Sequence, residues 1–388
     1  MAQALISGEA LRWARLRAGA SVNAVAEKLK VSTEDVEAWE GDRSLPSFAK
    51  ARDIAKYLRV PFGYLFLDSP PQEAVAIPDL RRLGGEPVGR LGPDFIQIYR
   101  DALAKQDWYR DYLIQQGSAE LQFVGSRTLL DEPATLAADM RRKLNVTIEW
   151  RRKCLDWEVM FRDLVVKTEE AGVLVLRNSI VGNNTHRPLS VKEFRGFALS
   201  DPLAPIVFIN SADAAPAQIF SLAHELAHIW LNVSAISNFD LDRPLEGHDP
   251  IEVFCNKVAA EFLVARAEFI ERWRADLTLD QNADALCREF RVSTLVIARR
   301  ALDLGYIARE EYLRFIEVAA AKRDQDSEKK EKGGGPDFYT LARIRNSATF
   351  AKAVLTEALE GRLLLRDAGQ LLSMKPAKLR VLAKDLEV

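Results

Sequence analysis

The chain is poor in cysteine, histidine and methionine, has almost no net charge, and contains no long apolar run. Each shortage excludes something. Cys154, Cys255 and Cys287 are far apart with no C-x-x-C spacing, so a disulfide framework is not expected and a reducing cytoplasm is. No stretch approaches the roughly 18–20 apolar residues that span a bilayer. Met1–Gly8 lacks the basic-then-apolar pattern of a signal peptide, so the expectation is a soluble, cytoplasmic protein with no membrane partner. A formal charge of −2 gives no global attraction to nucleic acid, so any basic surface must be local.

What is present is enough for more than one core. With 388 residues, 48% of them apolar, the chain fits two or three domains of about 100–200 residues each. Residues 1–67 read as a compact set of short helices. The first runs past Leu11, Ala14 and Leu16 to Ala18-Gly19, and Ser21 caps a second at Val22–Leu29. Ser32 or Thr33 opens a third at Ser32–Glu40, stopped by Gly41, and a fourth covers Ser47–Leu58. Short helices joined by tight turns make a helix-turn-helix module. The strings Ala26-Glu27-Lys28-Leu29, Trp39-Glu40-Gly41-Asp42-Arg43 and Leu45-Pro46 resemble the XRE (Cro/repressor-like) family.

Residues 68–131 read as a connector, rich in proline and glycine up to Pro93 and helical from there to about Gln116. Residues 132–321 hold the third region. Its helical pattern runs over Glu132–Gly172, followed by strand candidates Val173–Leu176, Phe194–Leu199 and Pro205–Ile209. Helices beyond Pro216 and at Ile251–Val264 come next, and helices continue to Ala321. Residues 322–336, polar, of mixed charge and ending in three glycines, read as a flexible linker. Residues 337–388 form a small helical tail, with a short helix pair over Leu363–Leu386.

Two of the four histidines stand in His224-Glu225-Leu226-Ala227-His228, inside the apolar run Ile219–Leu231. Residues four apart on a helix lie over one another, so both imidazoles leave the same face and can grip one Zn²⁺ at about 2.0–2.1 Å. Glu225 lies beside them as a proton acceptor, the H-E-x-x-H arrangement of zinc hydrolases. A catalytic zinc commonly has three protein ligands and an open position. Glu252 is the first choice for the third, with Glu261 and His248 as rivals. Asn256, four residues on, shares its helix face and is a candidate to orient a ligating histidine. His248 and Arg195 are candidates to stabilise an oxyanion. Mn²⁺ or Fe²⁺ could occupy the same donors.

The stretch from about Phe161 to Phe269 is similar to the ImmA/IrrE family of zinc endopeptidases. The likeness rests on Gly172-Val173-Leu174-Val175, Phe194-Arg195-Gly196-Phe197, Ile206–Asn210, Phe220–Trp230 and Glu252–Leu263. Arg266 departs from it, where many relatives carry proline. The resemblance implies His224, His228 and Glu252 as metal ligands and Glu225 as catalytic base. It also implies an α+β, mostly helical chain: an all-α helix-turn-helix domain, a zincin-like (gluzincin-like) peptidase domain with a small sheet, and a helical tail.

The function so implied is a zinc-dependent, site-specific endopeptidase. It would cleave a transcriptional repressor, an XRE-family one by the resemblance, and so induce stress-response or mobile-element genes. The recognition helix Ser32–Glu40 carries four acidic residues and no Lys or Arg, an awkward surface for a phosphate-lined groove. Ser32, Thr33 and Arg43 are the candidate DNA contacts, with Arg12, Arg15 and Arg17 as further candidates for the phosphate backbone, double-stranded or single-stranded DNA as a partner and a homodimer as a candidate assembly. The module could instead dock the repressor. The alternative from another class is a non-catalytic DNA-binding regulator or antitoxin-like protein retaining the metal-binding fold.

Overall fold

The computed structural model describes residues 2–71, 82–83, 86–87, 91–237, 249–327 and 337–388. They fall into two compact units, residues 1–76 with 89–99 and residues 77–88 with 100–388.

The first unit is all-helical: α1 (Gly8–Arg17), α2 (Val22–Leu29), α3 (Thr33–Glu40), α4 (Phe48–Leu58) and a 3₁₀ turn at Phe62–Phe66. Each α-helix starts on a serine, Ser7, Ser21, Ser32 or Ser47, whose side chain accepts a backbone N–H of the first turn. Such caps are worth about 1 kcal/mol each. Leu11, Val25, Val36, Ile54 and Leu58 close a common core. Gly8 permits the approach of α1 to the end of α3, because a Cβ there would fall 2.6 Å from Glu40 O. Its N–H donates instead to Asp42 Oδ1 at 2.7 Å.

Next come β1 (Arg82–Leu83), paired antiparallel with β2 (Glu86–Pro87), and α5 (Pro93–Gln115). The expected helical stretch 132–172 is three helices, α6 (Pro133–Lys143), α7 (Ile148–Lys153) and α8 (Trp157–Glu170). The sheet region holds β3 (Leu174–Asn178), β4 (Ile180–Val181), β5 (Asn184–Pro188), β6 (Gly196–Leu199) and β7 (Ile206–Asn210). After α9 (Ala215–Trp230) the chain adds β8 (Ala235–Ser237) and α10 (Pro250–Leu263). The main sheet has the order β3-β7-β6-β8, with β3 and β7 parallel and the other two pairings antiparallel. β8 and the β4–β5 hairpin are absent from the sequence expectation. Three residues, or a polar run such as Asn184–Pro188, carry too little alternation to register as strands.

The helices α11 (Arg266–Arg272), α12 (Leu279–Phe290), α13 (Thr294–Asp303) and α14 (Arg309–Ser327) follow. α14 carries the chain through the first residues of the polar run 322–336, where a flexible linker was expected to begin. The rest of that run, 328–336, lies outside the described residues, as does most of the 68–93 connector. The tail is α15 (Phe338–Asn346), α16 (Ala348–Leu359), α17 (Leu365–Leu371) and α18 (Pro376–Asp385), the last two being the expected pair. These helices pack within the second unit. Phe350 meets Trp108 and Tyr109 edge-on, and the half-buried Glu169 carboxylate accepts from Thr349 N and Oγ1 at 3.1 and 3.0 Å. The chain is an α+β protein, mostly helical, with a small mixed sheet and two short hairpins among the described residues.

Candidate metal centre

α9 is buried on every side from Gln218 to Trp230. A helix apolar all round belongs to a core, and this one packs on β6 and β7 and against α10. Into that dry interior it carries His224, Glu225 and His228, each at most 1% exposed. Ionisable groups so placed are costly unless each finds a partner.

The partner arrives from α10. Asp249 caps that helix by accepting from Ile251 N at 2.9 Å, and Glu252 follows in its first turn, where the helix dipole favours a carboxylate. Glu252 Oε1 lies 3.1 Å from His228 Nε2, and Oε2 lies 3.3 Å from His224 Nε2. The two Nε2 atoms are 3.1 Å apart. Donors held about 2.0–2.1 Å from a tetrahedral ion stand roughly 3.3–3.4 Å from one another, so the two imidazoles and the carboxylate are spaced as a ligand set. The donor chemistry, two imidazoles and a carboxylate, suits Zn²⁺ and also Mn²⁺ or Fe²⁺.

The charges agree with that fit. Burial alone would raise the Glu252 carboxyl, but the two imidazoles overcome it and hold the group well below the carboxylate range. Burial opposes a charge on His224, yet Glu252 outweighs it and keeps that imidazole protonated above its ordinary range. His228 is pushed down by burial. The cluster therefore draws in positive charge, which a proton or a divalent cation can supply. Glu225 is different: burial, with repulsion from Glu252, pushes its carboxyl up to about 8 against the opposing pull of His224.

Glu225 reaches its place because β6 begins with glycine. A Cβ on Gly196 would fall 2.7 Å from Glu225 Oε1 and 3.0 Å from Phe208 O. Ser237, at the end of β8, comes closer still to the three candidate ligands: its Oγ is 3.2 Å from His224 Nε2, 3.5 Å from His228 Nε2 and 3.3 Å from Glu252 Oε1. Neither residue was singled out for a role from sequence. Gly196 lay within a quoted string, and nothing in the local pattern around Ser237 marks it.

The remaining candidates divide. Asn256 is buried on the same α10 face near His224. Neither of its side-chain polar atoms has a hydrogen-bond partner among the described residues, so the expected bond to a ligating histidine is not formed. Arg195 places its guanidinium on Asp213 at 2.5 Å. Glu261, a rival third ligand, pairs with Arg300 and accepts from Arg266 N. His248 lies outside the described residues.

In the first unit, Ser32 is committed to α3: its Oγ accepts from Asp35 N while Asp35 Oδ2 accepts from Ser32 N, both at 3.1 Å. Thr33 opens that helix, and Arg43 is exposed just beyond it. Arg15, expected as a phosphate contact, is held in a two-pronged ion pair with Glu40 at 2.5 and 2.9 Å. That pair also neutralises one of the acids of α3.

Residues 168–302 match the model of a peptidase family described as an IrrE N-terminal-like domain, and residues 8–62 match a helix-turn-helix domain. Residues 346–385 match a domain of unknown function, DUF8813. No curated protein and no solved structure matches the chain. The chain thus pairs an N-terminal helix-turn-helix domain with an IrrE-like, peptidase-type domain, the architecture that the sequence resemblance implied. The His224, His228 and Glu252 cluster falls inside the peptidase-type match.

Proposed function

We propose that the chain is a metal-dependent, site-specific endopeptidase whose substrate is a transcriptional repressor of the XRE type. The observation that carries this reading is the convergence of His224, His228 and Glu252, from two helices, at 3.1–3.3 Å spacing with Glu225 beside them. These three residues would hold the ion, with zinc the first choice. When bound there, it supplies Lewis acidity that polarises a peptide carbonyl and activates water near neutral pH.

The rest of the chemistry belongs to the chain. Glu225 accepts a proton from the attacking water as its oxygen bonds to the carbonyl carbon. When the C–N bond breaks, Glu225 delivers that proton to the departing amine. General acid–base help of this kind is typically worth about 10²–10⁴-fold. Burial raises the Glu225 carboxyl above the ordinary carboxylate range, which makes its carboxylate a stronger proton acceptor. Gly196 leaves the room in which its carboxylate sits.

The helix-turn-helix domain would bring the peptidase to DNA, with Ser32, Thr33 and Arg43 as its contacts. Cleavage of the repressor there would induce the genes it holds silent, in a stress response or on a mobile element. The buried Glu225 speaks against a non-catalytic regulator, since a structural metal site has no need of it.

The test uses the full-length protein, Zn²⁺ and the candidate repressor, followed by mass spectrometry of the products. One discrete cut is expected with the wild type. Glu225→Gln should retain its metal and lose the cut by about 10²-fold or more. Undiminished cleavage by Glu225→Gln, or no cut under any of Zn²⁺, Mn²⁺ and Fe²⁺, would sink the proposal.

A further inference from the structure

We infer that Ser237 is a fourth donor to the bound metal, standing in the position that a hydrolytic water must take. The inference rests on reading His224, His228 and Glu252 as a metal centre.

The geometry comes from four side chains. His224 Nε2, His228 Nε2 and Ser237 Oγ stand 3.1–3.5 Å from one another; Glu252 meets His228 and Ser237 through Oε1 at 3.1 and 3.3 Å, and His224 through Oε2 at 3.3 Å. With the carboxylate taken as one corner, the four groups are spaced like the corners of a tetrahedron, and edges of this length put its centre about 2.0 Å from each corner. That is the zinc–nitrogen and zinc–oxygen bonding distance. Three of the corners are the candidate ligands; the fourth is the serine hydroxyl.

Ser237 is 2% exposed, and its place is set by the sheet rather than by its own side chain. Ser237 is in register with Gly196 across the β6–β8 pair, and its carbonyl accepts from Arg195 N at 3.1 Å. The hydroxyl also lies against Glu225. It therefore neighbours both the candidate ligands and the proton acceptor, as a water awaiting deprotonation would.

A metal with four protein donors is a structural site, and one with three keeps a position for water. An alcohol is neutral and a weaker donor than an imidazole or a carboxylate. Ser237 would keep the loaded site closed at rest and yield the position, or share an expanded five-coordinate shell, when water and substrate enter.

The test uses Co²⁺ as a spectroscopic probe in the full-length protein. In Ser237→Cys, a sulfur at this corner should give an intense near-ultraviolet sulfur-to-cobalt charge-transfer band that the wild type lacks. In Ser237→Ala, the vacated position should bind acetohydroxamate about tenfold more tightly or better, on the 10–100-fold scale usual for groups that tune a metal site. A Ser237→Cys protein that holds one Co²⁺ without the band overturns the inference, as does an unchanged hydroxamate affinity in Ser237→Ala. A wild type that takes up no Co²⁺, and matches His228→Ala in this, overturns the metal-centre reading itself and with it the role of Ser237.

Discussion

The backbone of Gly196 on β6 lies so close to the Glu225 carboxylate on α9 that a Cβ there would stand 2.7 Å from Oε1. Two elements distant in sequence thus share one contact, and only glycine allows it. Because Phe208 O blocks the other side at 3.0 Å, the added methyl of Gly196→Ala must displace the carboxylate. None of the three candidate ligands is among the atoms nearest to that Cβ. Gly196→Ala is therefore expected to keep its metal by elemental analysis and to lose about 10²-fold in kcat, the scale of a 1 Å misplacement. Equal loss of metal and activity would mean that Gly196 supports the fold rather than the position of Glu225.

Metal should act as a stabilising ligand. The native cluster gathers charge-seeking groups that the unfolded chain does not bring together. At 100 times its dissociation constant, a bound ion adds about 2.7 kcal/mol. A melting experiment should show Tm falling when a chelator is added to the wild type and recovering with Zn²⁺. Glu252→Ala should show neither change, and a full zinc response in that variant would put the third donor elsewhere.

Lys105 tests the attachment of the tail by pH. Its Nζ donates to Leu371 O at 2.5 Å over the Phe350 ring, and burial pushes the ammonium down to about 8 from 10.5. A lowered lysine pKa means that the unfolded chain binds the proton more tightly. Stability attributable to this group is then full above about 10.5 and is lost as pH falls toward 8. Urea unfolding should show the wild type gaining on Lys105→Met by about 2 kcal/mol between pH 7.5 and pH 10. A difference independent of pH would show that Lys105 does not titrate in this window.

The exposed Arg43 offers a test of the helix-turn-helix domain. If it meets a phosphate, Arg43→Ala should weaken DNA binding across sequences and reduce the slope of log K against log[salt] by about 0.9. Mobility shifts at several salt concentrations measure this. A wild type with no salt-dependent binding would favour docking of a repressor, for which the exposed acids Glu34 and Glu37 of α3 are better suited.

Much of the local structure was legible in the sequence, for local reasons. Helix starts at Val22 and Phe48 follow from Ser21 and Ser47, because a serine oxygen satisfies an N–H that the helix leaves open. The β3, β6 and β7 strands were found within one or two residues by their apolar runs. β8 was not, although it carries Ser237, since three residues contain less than two periods of a strand. Arg15 was read as free for DNA because its partner, Glu40, is 25 residues away and no periodicity links them.

The spacing of His224 and His228 was decided by the sequence alone: a 3.6-residue turn puts positions four apart on one face wherever the helix sits. What closes around that face was decided by tertiary structure. Glu252, Gly196 and Ser237 come from α10, β6 and β8; Glu252 and Ser237 meet the histidines, and Gly196 meets Glu225, only because α9 is buried between the sheet and α10. Helical pitch is a property of the backbone over a few residues, whereas contacts across the core depend on how whole elements pack, and no local pattern records them.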